Sequence, residues 1–286
     1  MAVYNYDNIT KLDNSDNDNK LDFTVTGTIS GATVRLYAGE TEIGSAVATG
    51  STTPIETNGT VDLSDDQEPY SVHTITARQT VPDKLPSVAS SGLEITVDVV
   101  APTVLDFNRG YLVEDDWELH PTTLDTITIQ FSEDVSDMLG AADLTLWRLP
   151  GNTQVTVTPS FSYDAGTNKG TWDFGGLALT ASWYKVLISA TGVTDLAGNS
   201  LDGDGDGTGG DDYVYGAASP EDDMLIPILG DADLDGAVDW YDLQILMANF
   251  GGPDRTWSQA DFNYDGWVDS YDYITVKQHM GQSVSR

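Results

Sequence analysis

An acidic loop of twelve residues occurs twice near the end of the chain, thirty positions apart. Asp231-Ala-Asp-Leu-Asp-Gly-Ala-Val-Asp-Trp-Tyr-Asp242 returns as Asp261-Phe-Asn-Tyr-Asp-Gly-Trp-Val-Asp-Ser-Tyr-Asp272. Each copy has oxygen-bearing side chains at positions 1, 3, 5, 9 and 12, Gly at 6 and Val at 8. A hard cation that takes six to eight oxygen ligands requires this spacing, with the glycine making the sharp turn and the position-7 carbonyl turned inward. Two copies in register point to two calcium loops. In the first, Asp231, Asp233, Asp235, the Ala237 carbonyl, Asp239 and Asp242 are the expected ligands. In the second they are Asp261, Asn263, Asp265, the Trp267 carbonyl, Asp269 and Asp272. Five carboxylates in twelve residues repel one another, so this segment is expected to fold only around its ions.

Calcium also bears on the composition. The 286 residues include 46 acidic and 12 basic ones, a formal charge of −34, with no cysteine. Nucleic acid is excluded as a partner, because phosphate binding depends on clustered Lys and Arg. Bound cations would relieve the self-repulsion of such a chain and take the stapling role of absent disulfides. That combination fits a bacterial protein working outside the cell, where calcium is at millimolar level and weak sites fill. The N-terminal residues show neither the basic nor the apolar part of a signal peptide, and no apolar run reaches membrane-spanning length.

Up to about residue 216 the apolar residues alternate. Leu21/Phe23/Val25, Leu93/Ile95/Val97/Val99, Ile127/Ile129/Phe131, Val155/Val157 and Tyr184/Val186/Ile188 have the period of two that buries one face of an antiparallel sheet. Short runs between Gly, Asn, Asp and Ser turns predict β-sandwiches. Val99-Val-Ala-Pro-Thr103 marks a joint near residue 100, and Gly216-Ala-Ala-Ser-Pro220 opens a polar linker over 217–228. Beyond it Leu243, Leu246, Met247 and Phe250 have helical spacing, stopped by Gly251-Gly-Pro253. Tyr273, Val276, Lys277 and Met280 repeat the pattern before Gly281. The expected fold is mainly β with a small α module: sandwiches over 1–100 and 101–216, then a loop-helix pair over 229–286.

Three resemblances accompany these patterns. The twin loop-helix units over 229–282, with Asp rather than Glu at position 12, resemble a type I dockerin. Asp7-Asn-Ile-Thr10 and Thr26-Gly-Thr-Ile-Ser-Gly-Ala-Thr-Val-Arg-Leu-Tyr37 resemble bacterial Ig-like repeats of large surface proteins. Phe131-Ser-Glu-Asp-Val135 and Asp195-Leu-Ala-Gly-Asn199 resemble Ig-like modules of the surface-layer type. The dockerin resemblance implies constitutive calcium loading and docking onto a cohesin-type β-sandwich. It places partner contacts at loop positions 10 and 11, here Trp240, Tyr241, Ser270 and Tyr271. Aromatic residues there depart from the small hydroxyl pairs usual in that family.

A third acidic stretch, Asp202-Gly-Asp-Gly-Asp-Gly207, offers Asp202, Asp204 and Asp206 as further calcium ligands, with Asp211 and Asp212 close behind. It has no acidic residue at position 12, so it is not a full loop of the same kind. Asp13-Asn-Ser-Asp-Asn-Asp-Asn19 is rich in oxygen but irregular, equally a solvated turn. Glu114, Asp115 and Asp116 are expected in an exposed turn. His73, His120 and His279 stand without a nucleophile partner, and no catalytic set is recognisable. Trp172 and Trp183 are expected in the core of the second sandwich, and Trp240, Trp257 and Trp267 in the C-terminal module. The expected function is therefore non-catalytic assembly outside the cell, on a separate cohesin-like partner or on an Ig-like sandwich of another copy in a filament. In the filament, Ala2–Asp7 would add a strand across subunits. The alternative is an anchoring region of a secreted polysaccharide-degrading enzyme.

Overall fold

The computed structural model describes residues 1–4, 8–64, 70–108, 123–216 and 224–285. Glu114, Asp115, Asp116, His120 and the first part of the expected linker lie outside them. The described residues form two compact units, Met1–Pro102 with Thr194–Ser200, and Thr103–Val193 with Leu201–Arg286.

The first unit packs two sheets. Strands β1 (Ala2–Tyr4), β3 (Asp22–Thr26) and β6 (Thr52–Glu56) form one; β2 (Ile9–Thr10), β8 (Leu93–Val97), β7 (Ser71–Thr80), β4 (Thr33–Ala38) and β5 (Thr41–Val47) form the other in that order. Only β2 and β8 run parallel among these pairs. The period of two does what it predicts: Phe23, Val25, Val34, Leu36, Ile75, Ile95 and Val97 point into one core. Each such side chain contributes about 1.5–3 kcal/mol by leaving water. Ala2–Tyr4 pairs with Thr24–Thr26 of its own chain, so the strand expected to cross to another subunit is used at home over those residues.

The Asp13–Asn19 stretch is a turn built by its own side chains. Asp13 accepts from the Ser15 amide and Asp16 from the Asp18 and Asn19 amides. Asn14 is fully buried, donating to the Val61 carbonyl and accepting from the Gly59 amide. His73 lies 2.6 Å through Nε2 from the Leu63 carbonyl oxygen, a structural contact.

In the second unit β9 (Val104–Asn108), β10 (Thr123–Phe131), β14 (Lys169–Ala178) and β13 (Ser160–Asp164) form one sheet, with β9 and β13 at its edges. Strands β12 (Thr153–Gln154), β11 (Leu144–Leu149), β15 (Ser182–Ile188) and β16 (Tyr213–Tyr215) form the facing one. A further strand, β17 (Met224–Ile226), pairs antiparallel with β15 beside β16. Trp172 sits fully buried at the centre, its indole donating to the Gly140 carbonyl and its ring 4.8 Å from that of Phe161. Gly170 leaves it room: a methyl there would lie 2.9 Å from the indole ring.

Four expectations change. Met224–Ile226 falls inside the stretch read as linker, yet all three residues are buried and belong to the sandwich. Trp183 is only half-buried, because Ser182 and Tyr184 on either side take the inward face of β15. Val155 and Val157 follow a two-residue strand instead of forming one; Pro159 just beyond has no amide to continue a ladder. The Asp195–Asn199 phrase, read as part of the second sandwich, groups with the first unit. Its Asn199 amide donates to the Asp98 carbonyl and to Asp195.

The C-terminal module holds helices α1 (Trp240–Asn249) and α2 (Ser270–His279) with a 3-10 turn, Trp257–Gln259, between them. Its core is Ile228, Ala232, Val238, Leu246, Trp257, Ala260, Phe262, Val268 and Val276. Of the helical-period residues expected inward, only Leu246 and Val276 are buried; Met247, Phe250, Tyr273 and Met280 are exposed. So small a module buries about one residue per helix turn and leaves the rest of the apolar stripe on its surface.

Candidate metal centre

Both acidic loops fold the same way, and short-range hydrogen bonds explain how. In the first, Asp242 accepts from the Ala232 amide at 2.7 Å through Oδ1 and from the Asp239 amide at 2.7 Å through Oδ2. Asp239 in turn accepts from the Tyr241 amide, which closes a reciprocal cap on α1. Asp233 and Asp235 each accept from the amide two residues on. The second loop repeats this with Asp272 on the Phe262 and Asp269 amides, Asp269 on Tyr271, Asn263 on Asp265 and Asp265 on Trp267. Gly236 and Gly266 turn the chain at φ +87° and +83°, a region open to glycine.

Position 1 of each loop carries the deciding detail. Asp231 and Asp261 are 0% and 1% exposed. One oxygen of each, Oδ2, accepts from the position-6 glycine amide. The other, Oδ1, is buried with no hydrogen-bond partner among the described residues. A buried carboxylate oxygen without a partner costs about 1–3 kcal/mol or more, and the fold repeats that cost at the equivalent atom thirty residues on. Burial first, then the neighbouring Asp242 carboxylate, raises Asp231 from 3.8 to about 7; burial and the nearby carboxylates of Asp242 and Asp235 also raise Asp233. Burial raises Asp272 in the second loop. Asp231, Asp233 and Asp235 bring ligand atoms within 4.8 Å of one another. These are donor sets that suit a hard divalent cation, which would fill the orphan valence and offset the repulsion.

Residues 229–281 match the dockerin type I domain. Dockerin domains bind calcium and cohesin partners. No curated protein matches the chain. Among solved structures the chain is similar to the full ectodomain of mouse nectin-like molecule 4, at 12% identity and a TM-score of 0.26, over 70% of this chain and 61% of that one. A three-domain titin fragment, I67–I69, follows at 11% identity and 0.29, over 64% and 59%. The chain thus spans less than two thirds of either structure's length.

The reciprocal build of the dockerin module was not visible in the loops alone. The segment after α1 pairs with the second loop through Pro253 and Trp267, and the segment after α2 pairs with the first through Ser283 and Ala237. Trp257, buried between the loops, donates from its indole to the Asp231 carbonyl at 2.6 Å. At positions 10 and 11, Trp240, Tyr241 and Tyr271 are 60%, 64% and 69% exposed, and Ser270 is exposed too. Trp267, whose carbonyl is the expected position-7 ligand of the second loop, has a half-exposed side chain.

The third acidic stretch closes on itself. Asp202, Asp204 and Asp206 come within 4.8 Å of Asp211, a fourth member nine or fewer positions away that the loop template does not include. Asp202 is buried and accepts from the Gly205, Asp206 and Gly207 amides; Asp211 accepts from Gly203 and Asp204. Asp212 is directed elsewhere, to the Ala190 amide. No helix of the described residues is long and apolar enough to cross a membrane.

Proposed function

We propose that the chain is a non-catalytic, extracellular assembly protein whose dockerin module, loaded with calcium in both loops, grips a β-sandwich partner. The observation that carries this reading is the orphan buried oxygen on Asp231 and again on Asp261. Asp231, Asp233, Asp235, the Ala237 carbonyl, Asp239 and Asp242 would hold one ion. Asp261, Asn263, Asp265, the Trp267 carbonyl, Asp269 and Asp272 would hold the other. A third ion on Asp202, Asp204, Asp206 and Asp211 would tie the loop before β16. Trp240, Tyr241, Ser270 and Tyr271 stand exposed at the helix starts, where they serve as anchors for the partner.

Protons compete with the ion for Asp231. Its carboxyl is raised in the ion-free fold, so proton binding favours that fold below pH 3.8, and this contribution is lost as pH rises through about 7. Calcium needs the deprotonated form. Affinity at the first loop should therefore fall about tenfold per pH unit below 7 and level off above it. Calorimetric titration of calcium at pH 8, 7 and 6 measures this, and a flat affinity across the range would contradict it.

Partner choice is open to a direct test. Electron microscopy and light scattering of the full chain in calcium and in EDTA read self-assembly. If the partner is a second copy, assemblies form in calcium, dissolve in EDTA and are lost in the Trp240→Ala/Tyr271→Ala variant. Truncating one hot-spot aromatic weakens binding by about 2 kcal/mol, near thirty-fold. Monomers in both conditions assign the face to a separate cohesin-like sandwich. Assemblies that persist in EDTA and in the variant would sink docking through this face.

A further inference from the structure

We propose that the first calcium loop also fastens the dockerin module to the second sandwich, so that calcium bound there locks strand β17 into the sandwich's sheet. This rests on the calcium reading above and adds to it a mechanical role for one loop of the pair.

The covalent path is short and stiff. Met224 and Ile226 of β17 belong to the sandwich core, and Ile228 belongs to the module core. Only Pro227 separates them, and its ring fixes the backbone at φ near −65°. The Asp231 amide then donates to the Ile228 carbonyl at 3.0 Å, so the first expected ligand follows the strand by a single turn. A chain of this kind has no slack to absorb movement of the loop.

A second, non-covalent contact closes the ring. The Gly236 corner of the loop lies against Trp183 of β15: a methyl built there would sit 3.4 Å from the indole Nε1 and 3.3 Å from Val284 Cγ2. Trp183 is the residue that pairs with Leu225, the middle of β17. Ala181, just ahead of β15, packs on the module core, as does Val284. Val284 is itself held to the loop, its amide donating to the Gly236 carbonyl at 2.8 Å. Trp183, half-buried and turned away from the sandwich core, is explained by this contact.

The repeat supplies an internal control. Gly266 occupies the same position in the second loop with nearly the same φ, yet no atom of the described residues lies within 4 Å of a methyl built on it. Among the described residues, the glycine corner of the first loop meets the sandwich and that of the second does not. A loop that closes around its ion keeps the Gly236 corner against Trp183; a loop opened by carboxylate repulsion withdraws it and frees one end of β17. Whatever stabilises the closed loop then stabilises the β15–β17 ladder by linkage.

Hydrogen exchange of the full chain, read by mass spectrometry in calcium and in EDTA, tests this. Protection of the 182–184 and 224–226 amides is expected to fall about tenfold in EDTA, with the β4–β7 ladder of the first unit unchanged. In calcium, Trp183→Thr should leave α1 and α2 protected and lower β17 protection about threefold or more. If α1 and α2 lose protection in EDTA while the β15–β17 ladder keeps all of its own, the coupling is wrong and the calcium reading stands. If the helices also keep their protection in EDTA, the calcium reading falls and takes the coupling with it. A Trp183→Thr variant with unaltered β17 protection likewise overturns the coupling.

Discussion

Removing calcium from the full chain should erase the helical part of its far-ultraviolet circular dichroism and leave the β signal of the sandwiches. Helices α1 and α2 have ten residues each, below the ~12–15 at which an isolated helix becomes even marginal in water. Among the described residues their shared core holds nine buried ones, too few to hold a fold alone. Against it stand five carboxylates in the first loop and four in the second. Asp242 and Asp272 are at once the third-position members of their helices' capping boxes and expected ligands, so local order and ion binding fail together. An ion at a hundred times its Kd supplies about 2.7 kcal/mol per site, comparable with the whole margin of such a module. An EDTA spectrum that keeps its minimum at 222 nm would sink the expectation.

How much of this is legible before the structure depends on the range of the interaction. The expected loop ligands lie within twelve residues of one another, so spacing alone proposes them, including Asp242 and Asp272 as the closing members. Strand periodicity is equally local, and Phe23, Ile129 and Val186 face inward as it predicts. What stays hidden depends on partners far along the chain. Met224-Leu-Ile226 looks like the end of a linker because it is three residues long and follows an acidic run; its identity as a strand comes from β15, some forty residues earlier. Trp183 looks like core because it is Trp in a strand, although the register of Ser182 and Tyr184 turns it outward. Asp211 joins the Asp202 cluster because glycines 203 to 210 let the chain double back, outside any loop template. Gly236 and Gly266 are equivalent in sequence and differ only in what is packed against them.

Trp257 concentrates this contrast, and replacing it is expected to be the most damaging single change in the module. Its ring is 1% exposed, T-shaped against Phe262 at 5.1 Å, and its indole donates to the carbonyl of Asp231 in the opposite loop. Trp257→Ala should cost about 3–5 kcal/mol through the cavity, and the orphaned buried carbonyl adds about 1–3 kcal/mol. Two ions at a hundred times their Kd return about 5 kcal/mol, so the variant should remain largely unfolded at calcium levels that fold the parent chain. Trp257→Phe keeps most of the packing and loses the hydrogen bond. It should fold, with its calcium midpoint raised about tenfold, since 1.4 kcal/mol is one decade. The indole also joins the segment leading into the second loop to the first residue of the first. Filling one loop therefore orders the residue that steadies the other, and Trp257→Phe should flatten the calcium titration as well as shift it. Circular dichroism at 222 nm against free calcium reads both quantities. An alanine variant with the parent's midpoint would mean that the loops fold independently and that Trp257 merely fills space.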